Sequence, residues 1–209
     1  MENRLLVATN NPKKLKELQE LLKDLPVTLL SLNDFPNVSE VEEDGNSFRE
    51  NAEKKALGFA KQTRCLTLAD DSGLSVDYLK GEPGIYSARF SGFGKDDLKN
   101  CEKILNLLKG VPPSDRSAKF KCAIALATPD KIVSVVEDSV SGFITDKMIG
   151  SGGFGYDPLF FFPEFGTTFA EVPSDKKHAV SHRGKALRQM KKVLREYFKD
   201  PSRARSSVG

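Results

Sequence analysis

Residues 5–22 read Leu5-Leu6-Val7-Ala8-Thr9-Asn10-Asn11-Pro12-Lys13-Lys14-Leu15-Lys16-Glu17-Leu18-Gln19-Glu20-Leu21-Leu22, and their order decides the fold class. The four apolar residues at the start suit a short buried strand. Asn10-Asn11-Pro12 stops it and opens a helix, because proline is tolerated in the first helical turn, where its missing N–H would lack an intrahelical partner anyway. Leu15, Leu18, Leu21 and Leu22 then recur at helical spacing and give that helix one core face. The alternation repeats downstream. Val27 to Leu32 reads as a strand. A helix from about Ser47 to Lys61 carries the stripe Phe48, Ala52, Ala56, Phe59 and Ala60. Leu66 to Ala69 reads as another strand, ending in Asp70-Asp71-Ser72-Gly73. Strands alternating with helices predict an α/β protein.

Working outward, a Gly/Pro-rich loop from Gly81 to Gly94 precedes a helix from Asp96 to Lys109, expected to bury Leu98, Ile104, Leu105 and Leu108. Two β-rich segments, Ala118 to Ala127 and Ile132 to Ile144, meet at Thr128-Pro129-Asp130-Lys131, a hairpin turn that makes the sheet mixed. The glycine-rich loop Gly150 to Gly155 leads into aromatic strand material. A last helix starts near Ser181, with Leu187, Met190, Val193, Leu194, Tyr197 and Phe198 as its stripe. No linker splits the chain, so residues 1–199 read as a single domain in which any two lobes share one continuous fold. Residues 200–209 read as a flexible tail.

The 209 residues are 39% hydrophobic and 29% charged, which excludes a disordered chain, a collagen-like fibre and a disulfide miniprotein. The net charge of +3 hides an asymmetry: 21 basic and 27 acidic residues up to Asp175, against 11 basic and 2 acidic from Lys176 onward. Cys65, Cys101 and Cys122 are far apart and form no C-x-x-C pair, so neither a zinc knuckle nor a disulfide framework is indicated. The run Leu5–Ala8 is too short for a signal-peptide core, and Leu159–Phe162 is far below membrane-spanning length. These features together read as a soluble cytoplasmic protein with no membrane partner.

Four stretches are candidates for chemistry. Thr9-x-Asn11-x-x-Lys14 sits where a strand turns into a helix, whose N–H groups and dipole suit phosphate; by itself it reads rather as a capped helix start with solvated lysines. It is not a Walker loop, since no G-x-x-x-x-G-K-[ST] occurs. Glu42-Glu43-Asp44 and Asp70-Asp71 are carboxylate clusters of the kind that hold Mg²⁺ together with substrate phosphates, although Glu40 to Asp44 alone reads as a solvated loop and Asp70-Asp71 as a turn. Gly150-Ser151-Gly152-Gly153-Phe154-Gly155 matches G-x-G-x-x-G, but Tyr156-Asp157-Pro158 follows where a dinucleotide site needs a helix, so that reading is rejected. Phe154 or Tyr156 stacking on a flat ligand stays open. Finally, in Lys176-Lys177…Ser181-His182-Arg183, Ser181 as N-cap places His182 and Arg183 in a first helical turn, where the dipole disfavours a cation; that local conflict is expected at a functional site, although the stretch alone reads equally as a solvated helix start.

Taken together, the segments resemble the inosine triphosphate pyrophosphatase family, the non-canonical purine nucleoside triphosphate pyrophosphatases. The resemblance rests on Thr9-x-Asn11-x-x-Lys14, Phe48-x-x-Asn51-Ala52-x-x-Lys55-Ala56, Ala69-Asp70-Asp71-Ser72-Gly73-Leu74, Pro83-Gly84-Ile85-Tyr86-Ser87-Ala88-Arg89, Gly153-Phe154-Gly155-Tyr156-Asp157-Pro158 and Ser181-His182-Arg183-Gly184, in that order from Thr9 to Gly184. It implies a two-lobed α/β fold around a long mixed β-sheet with flanking helices, a homodimer, and Mg²⁺-dependent cleavage of XTP, ITP and dITP to the monophosphate and pyrophosphate. It also implies that Thr9, Asn10, Asn11, Pro12, Lys13, Lys14 and Lys55 hold the triphosphate. Glu42 and Asp71 would bind Mg²⁺, with Asp71 as general base. Asn51, on the same helix face as Lys55, belongs with them. Ser72, Phe154, Gly155, Tyr156, Asp157, Lys177, His182 and Arg183 would complete the nucleotide site.

Two other readings remain at this stage. One is a pyrophosphatase for canonical or pyrimidine nucleotides. The other is a non-catalytic nucleic-acid-binding module that uses the basic end, whose affinity would fall steeply with salt.

Overall fold

The computed structural model describes residues 3–92 and 94–199; the expected tail at 200–209 lies outside the described residues. The elements are β1 (Arg4–Val7), α1 (Pro12–Leu22), β2 (Thr28–Ser31), α2 (Phe48–Thr63), β3 (Thr67–Val76), α3 (Asp97–Leu107), β4 (Ser117–Ala127), β5 (Ile132–Ile144), β6 (Phe160–Phe162), β7 (Thr167–Thr168), α4 (Ser174–Val180) and α5 (His182–Lys199). Seven strands form a sheet in the order β2-β1-β3-β4-β5-β6-β7. β1 pairs parallel with β2 and β3, while β6 pairs antiparallel with β5 and β7, so the sheet is mixed as expected.

The chain forms two compact units. The first comprises the chain up to Asp71, Cys122–Glu137 and the segment from Ala186; the second comprises Ser72–Lys121 and Asp138–Lys185. The chain passes from one to the other within β3, β4, β5 and α5.

Strand alternation organises the first unit. Leu5, Val7, Leu68, Cys122, Ile124 and Leu126 pack with Leu18 and Leu22 of α1 and with Leu187, Met190 and Leu194 of α5. The residues between them, Leu6, Ala69, Ala123, Ala125 and Ala127, pack with Ala52, Ala56, Phe59 and Ala60 of α2. The side-chain period of two thus gives each strand two apolar faces, with helices on both. In the second unit, Leu74, Val76, Phe120, Phe160, Phe162 and Phe169 form a core closed by Cys101, Ile104 and Leu108.

Three expectations are corrected. Asp70-Asp71-Ser72-Gly73 is not a turn after a strand: β3 runs through it to Val76. Leu98 is 55% exposed, and the buried face of α3 is Asn100, Cys101 and Ile104, with Leu105 only partly buried; Leu98 sits in the first turn, off that face. The segment before Ser181, read without a helix, forms α4.

Candidate active site

In the first unit, β3 carries two adjacent buried carboxylates, and its alternation sends them to different helices. Asp70 meets α1: Lys14 Nζ lies 3.1 Å from its Oδ2. Asp71 meets α2: Asn51 Nδ2 donates to its Oδ2 at 3.2 Å, and Lys55 Nζ, one turn on, lies 3.6 Å from its Oδ1. Asn51 Oδ1 in turn accepts Gly45 N–H at 2.8 Å, which pins the acidic loop. Lys55 Nζ is also 2.9 Å from Glu43 Oε2.

Three carboxylates therefore share two ammonium groups. Burial pushes Asp71 above the ordinary carboxylate range; Lys55 and Lys14 oppose the shift, and Glu43 and Asp70 add to it. Burial would lower the Lys55 ammonium, but Asp71, Glu43 and Asp70 outweigh it and raise it, so Lys55 stays charged.

The loop before α1 is self-capped. Thr9 Oγ1 accepts Asn11 N–H at 3.2 Å, and Asn11 Oδ1 accepts the N–H groups of Lys13 and Lys14 at 3.0 and 3.2 Å. Two N–H groups that sequence alone offers to phosphate are thus engaged by the N-cap, and the positive charge here resides on the lysine side chains. Asn10, Pro12 and Lys13 are exposed. Glu42 is exposed and acts on Lys54, whereas its neighbour Glu43 is the acidic-loop residue brought to Lys55.

The second unit gathers a different set. Ser72 Oγ accepts from Arg183 Nη2 at 2.7 Å. Asp157 Oδ2 accepts Phe154 N–H at 2.8 Å and Lys177 Nζ at 2.5 Å, and Asp157 and Lys177 are both buried. Lys177 Nζ lies 4.8 Å and Arg183 Cζ 5.5 Å from the Phe154 ring centroid, so one partly buried ring meets two cations. His182 stacks on Phe120 at 4.8 Å and 13°. Gly153 has φ 68° and a Cβ there would lie 2.1 Å from Asp157 Oδ2, so only glycine serves. The close approach of α4 to α5 needs Gly184, whose Cβ would lie 1.8 Å from His178 O.

Of the two aromatic stacking candidates, Tyr156 is buried and its phenol donates to Ser87 O at 2.7 Å; Phe154 keeps a partly exposed ring. The structure thus groups Lys14, Asn51, Lys55 and Asp71 in one unit, and Ser72, Phe154, Gly155, Asp157, Lys177 and Arg183 in the other. Sequence reasoning named Glu43 only as part of the acidic cluster, whose members look alike, and gave no role to Ser87, which lay in a recognised motif.

Residues 5–193 match the Ham1 family. The chain belongs to that family. The dITP/XTP pyrophosphatase of Desulforamulus reducens is 52% identical over 195 residues, covering 93% of this chain and 97% of the relative. That of Geobacter sulfurreducens is 53% identical over 191 residues, covering 91% and 96%. Among solved structures, a HAM1 protein from Coxiella burnetii superposes with TM-score 0.85 at 40% identity, covering 93% of this chain and 99% of that one. The Ham1 protein of Staphylococcus aureus gives 0.83 at 38%, with the same coverage. The α/β fold with its mixed seven-stranded sheet is the Ham1 fold.

Proposed function

We propose that this Ham1-family chain is a pyrophosphohydrolase that converts non-canonical purine nucleoside triphosphates (XTP, ITP and dITP) to the monophosphate and pyrophosphate. The relatives' activity supports the reaction class. The observation that carries the chemistry is the crowding of Asp71, Asp70 and Glu43 around Lys14 and Lys55.

Hydrolysis requires water oxygen to bond to the α-phosphorus while the bond from that phosphorus to the bridging oxygen breaks. Pyrophosphate leaves with the electron pair, and the water proton passes to a base. Asp71 is that base: Asn51 holds one of its oxygens and Lys55 stands by the other, and burial raises its proton affinity above that of an ordinary carboxylate. Lys13, Lys14 and Lys55 counter the charge of the triphosphate and of the leaving pyrophosphate. The donor set fits Mg²⁺ because its carboxylate oxygens are hard, and Mg²⁺ is usually held by one or two carboxylates together with substrate phosphates. Asp71 would hold the ion with Glu42, as the resemblance has it, or with Glu43, which shares Lys55 with Asp71. When bound, Mg²⁺ withdraws charge from phosphate oxygens.

In the second unit, Phe154 offers a ring face to the purine, and Arg183, Lys177 and His182 offer donors. Inosine and xanthine carry a 6-keto acceptor where adenine carries an amino donor, so adenine leaves buried donors unpaired and is rejected. The nucleic-acid reading loses its motive. Lys177 and Arg183 are bound inside the second unit, and Lys191 and Arg195 pair with Asp24 in the first. Among the described residues no helix is long and apolar enough to cross a membrane. The proposed assembly is a homodimer, which light scattering on the purified chain checks. The reaction is tested by incubating XTP, ITP or dITP with Mg²⁺. One pyrophosphate per monophosphate is expected; orthophosphate alone would refute the proposal.

A further inference from the structure

The loop that carries Phe154 is fastened to α3 by two side chains. Asp97 Oδ2 accepts Gly155 N–H at 2.9 Å, and Cys101 Sγ donates to Gly155 O at 3.4 Å. Four residues apart, Asp97 and Cys101 share one face of the helix. Burial pushes the Cys101 thiol up to about 12, with Asp97, Asp157 and Glu102 adding to the shift, so the S–H remains a donor throughout the physiological range. The next residue is held as well: burial pushes the Tyr156 phenol up, which keeps it protonated on Ser87 O. Phe154 N–H is taken by Asp157. Three consecutive residues are therefore anchored by four separate hydrogen bonds, which hold the backbone from which the Phe154 ring projects.

Asp97 has an ordinary reason to sit in the first turn of α3, where a carboxylate suits the helix dipole. That reason does not account for its bond to a backbone N–H 58 residues away. We infer that Asp97 is a positioning residue for base selection: by holding Gly155 N–H it sets the pose of Phe154, and with it the discrimination among purines, without itself meeting the nucleotide. The inference rests on Phe154 being the base platform. A loop released at Gly155 lets the ring tilt, which weakens stacking and the alignment of the base with its donors while leaving the carboxylate cluster of the first unit untouched.

The test compares Asp97→Ala, Asp97→Asn and Phe154→Ala in the full chain, with kcat and KM for XTP, ITP and GTP and a thermal melt for each. Asp97→Ala is expected to raise KM for XTP and ITP about tenfold, the scale of one hydrogen bond to a charged group. The loss falls mainly on KM, and the ITP-to-GTP ratio of kcat/KM narrows. Asp97→Asn keeps an acceptor oxygen and restores most of both. Unchanged KM and selectivity in Asp97→Ala would overturn the inference. Equal impairment of the Ala and Asn variants would also overturn it, because that reports charge at the helix start rather than the bond. So would a lower melting temperature with the same fractional loss on all three substrates. Phe154→Ala separates the two levels. If it leaves selectivity unchanged, the platform reading itself fails; if it alters selectivity and Asp97→Ala does not, only the tether fails.

Discussion

Asp71 and Asp157 are both nearly buried carboxylates beside a lysine, at 7% and 2% exposure, but their surroundings differ. Asp157 has Lys177 at 2.5 Å and the Phe154 N–H on the same oxygen, a buried and hydrogen-bonded ion pair. Asp71 shares Lys55 with Glu43, has Asp70 as its chain neighbour, and is pushed toward its protonated form, chiefly by burial. The first arrangement holds a shape. The second is a crowded set of carboxylates around Lys14 and Lys55, an arrangement that suits a cation and a phosphate chain. A buried pair is costly to break, whereas a crowded carboxylate is costly to keep.

The largest expected effect breaks the crowded side. Asp71→Asn should reduce turnover by about 10²–10⁴-fold, the range for losing a general base, and by more if metal binding is lost with it. The same change should not destabilise the metal-free protein. Asp71 has a raised folded-state proton affinity, so its stabilising contribution is present at low pH, where it is protonated, and is lost as pH rises through its folded value. With chelator at pH 7, the Asn variant should therefore melt at or above the wild-type temperature, and the gap should close as pH falls. A clear loss of stability at pH 7 would contradict the difference drawn between the two carboxylates.

Asp157→Ala probes the paired side. It strands the buried Lys177 ammonium and should cost about 3–5 kcal/mol in a denaturant titration, with the Phe154 loop released as well. The smallest effect belongs to Lys191→Ala. Its partner Asp24 is exposed, and such pairs contribute at most about 1 kcal/mol. A loss from Lys191→Ala as large as that from Asp157→Ala would show that burial is not what separates them.

The legible parts of the molecule were those governed by local rules. The Asn11 cap, the Pro12 start of α1, the alanine stripe of α2 and the turn between β4 and β5 all follow from spacing and turn chemistry. Asp70-Asp71-Ser72-Gly73 read as a turn because charged and small residues normally end strands. It is strand here because Lys14, Lys55 and Arg183, distant in sequence, neutralise or bond those side chains one by one. No local window contains that information. The helix α4 was missed because it is short and its Lys177 is buried against distant partners, Asp157 and the rings of Phe154 and Phe169. Choosing Glu43 over Glu42 at Lys55 depends on the path of an irregular loop, which residue types do not encode. Tyr156, a stacking candidate by type, turned out to be an anchor because Ser87 O lies within its reach.

The proposal to be tested is a division of labour, in which the carboxylates beside Lys55 serve the phosphate chemistry and Phe154 serves base selection. The most direct measurement is kcat/KM for XTP, ITP and GTP in Lys55→Gln and Phe154→Ala. The account predicts that Lys55→Gln lowers all three by the same factor and leaves their ratios intact, while Phe154→Ala compresses the ratios. Altered ratios in Lys55→Gln, or intact ratios in Phe154→Ala, would contradict it.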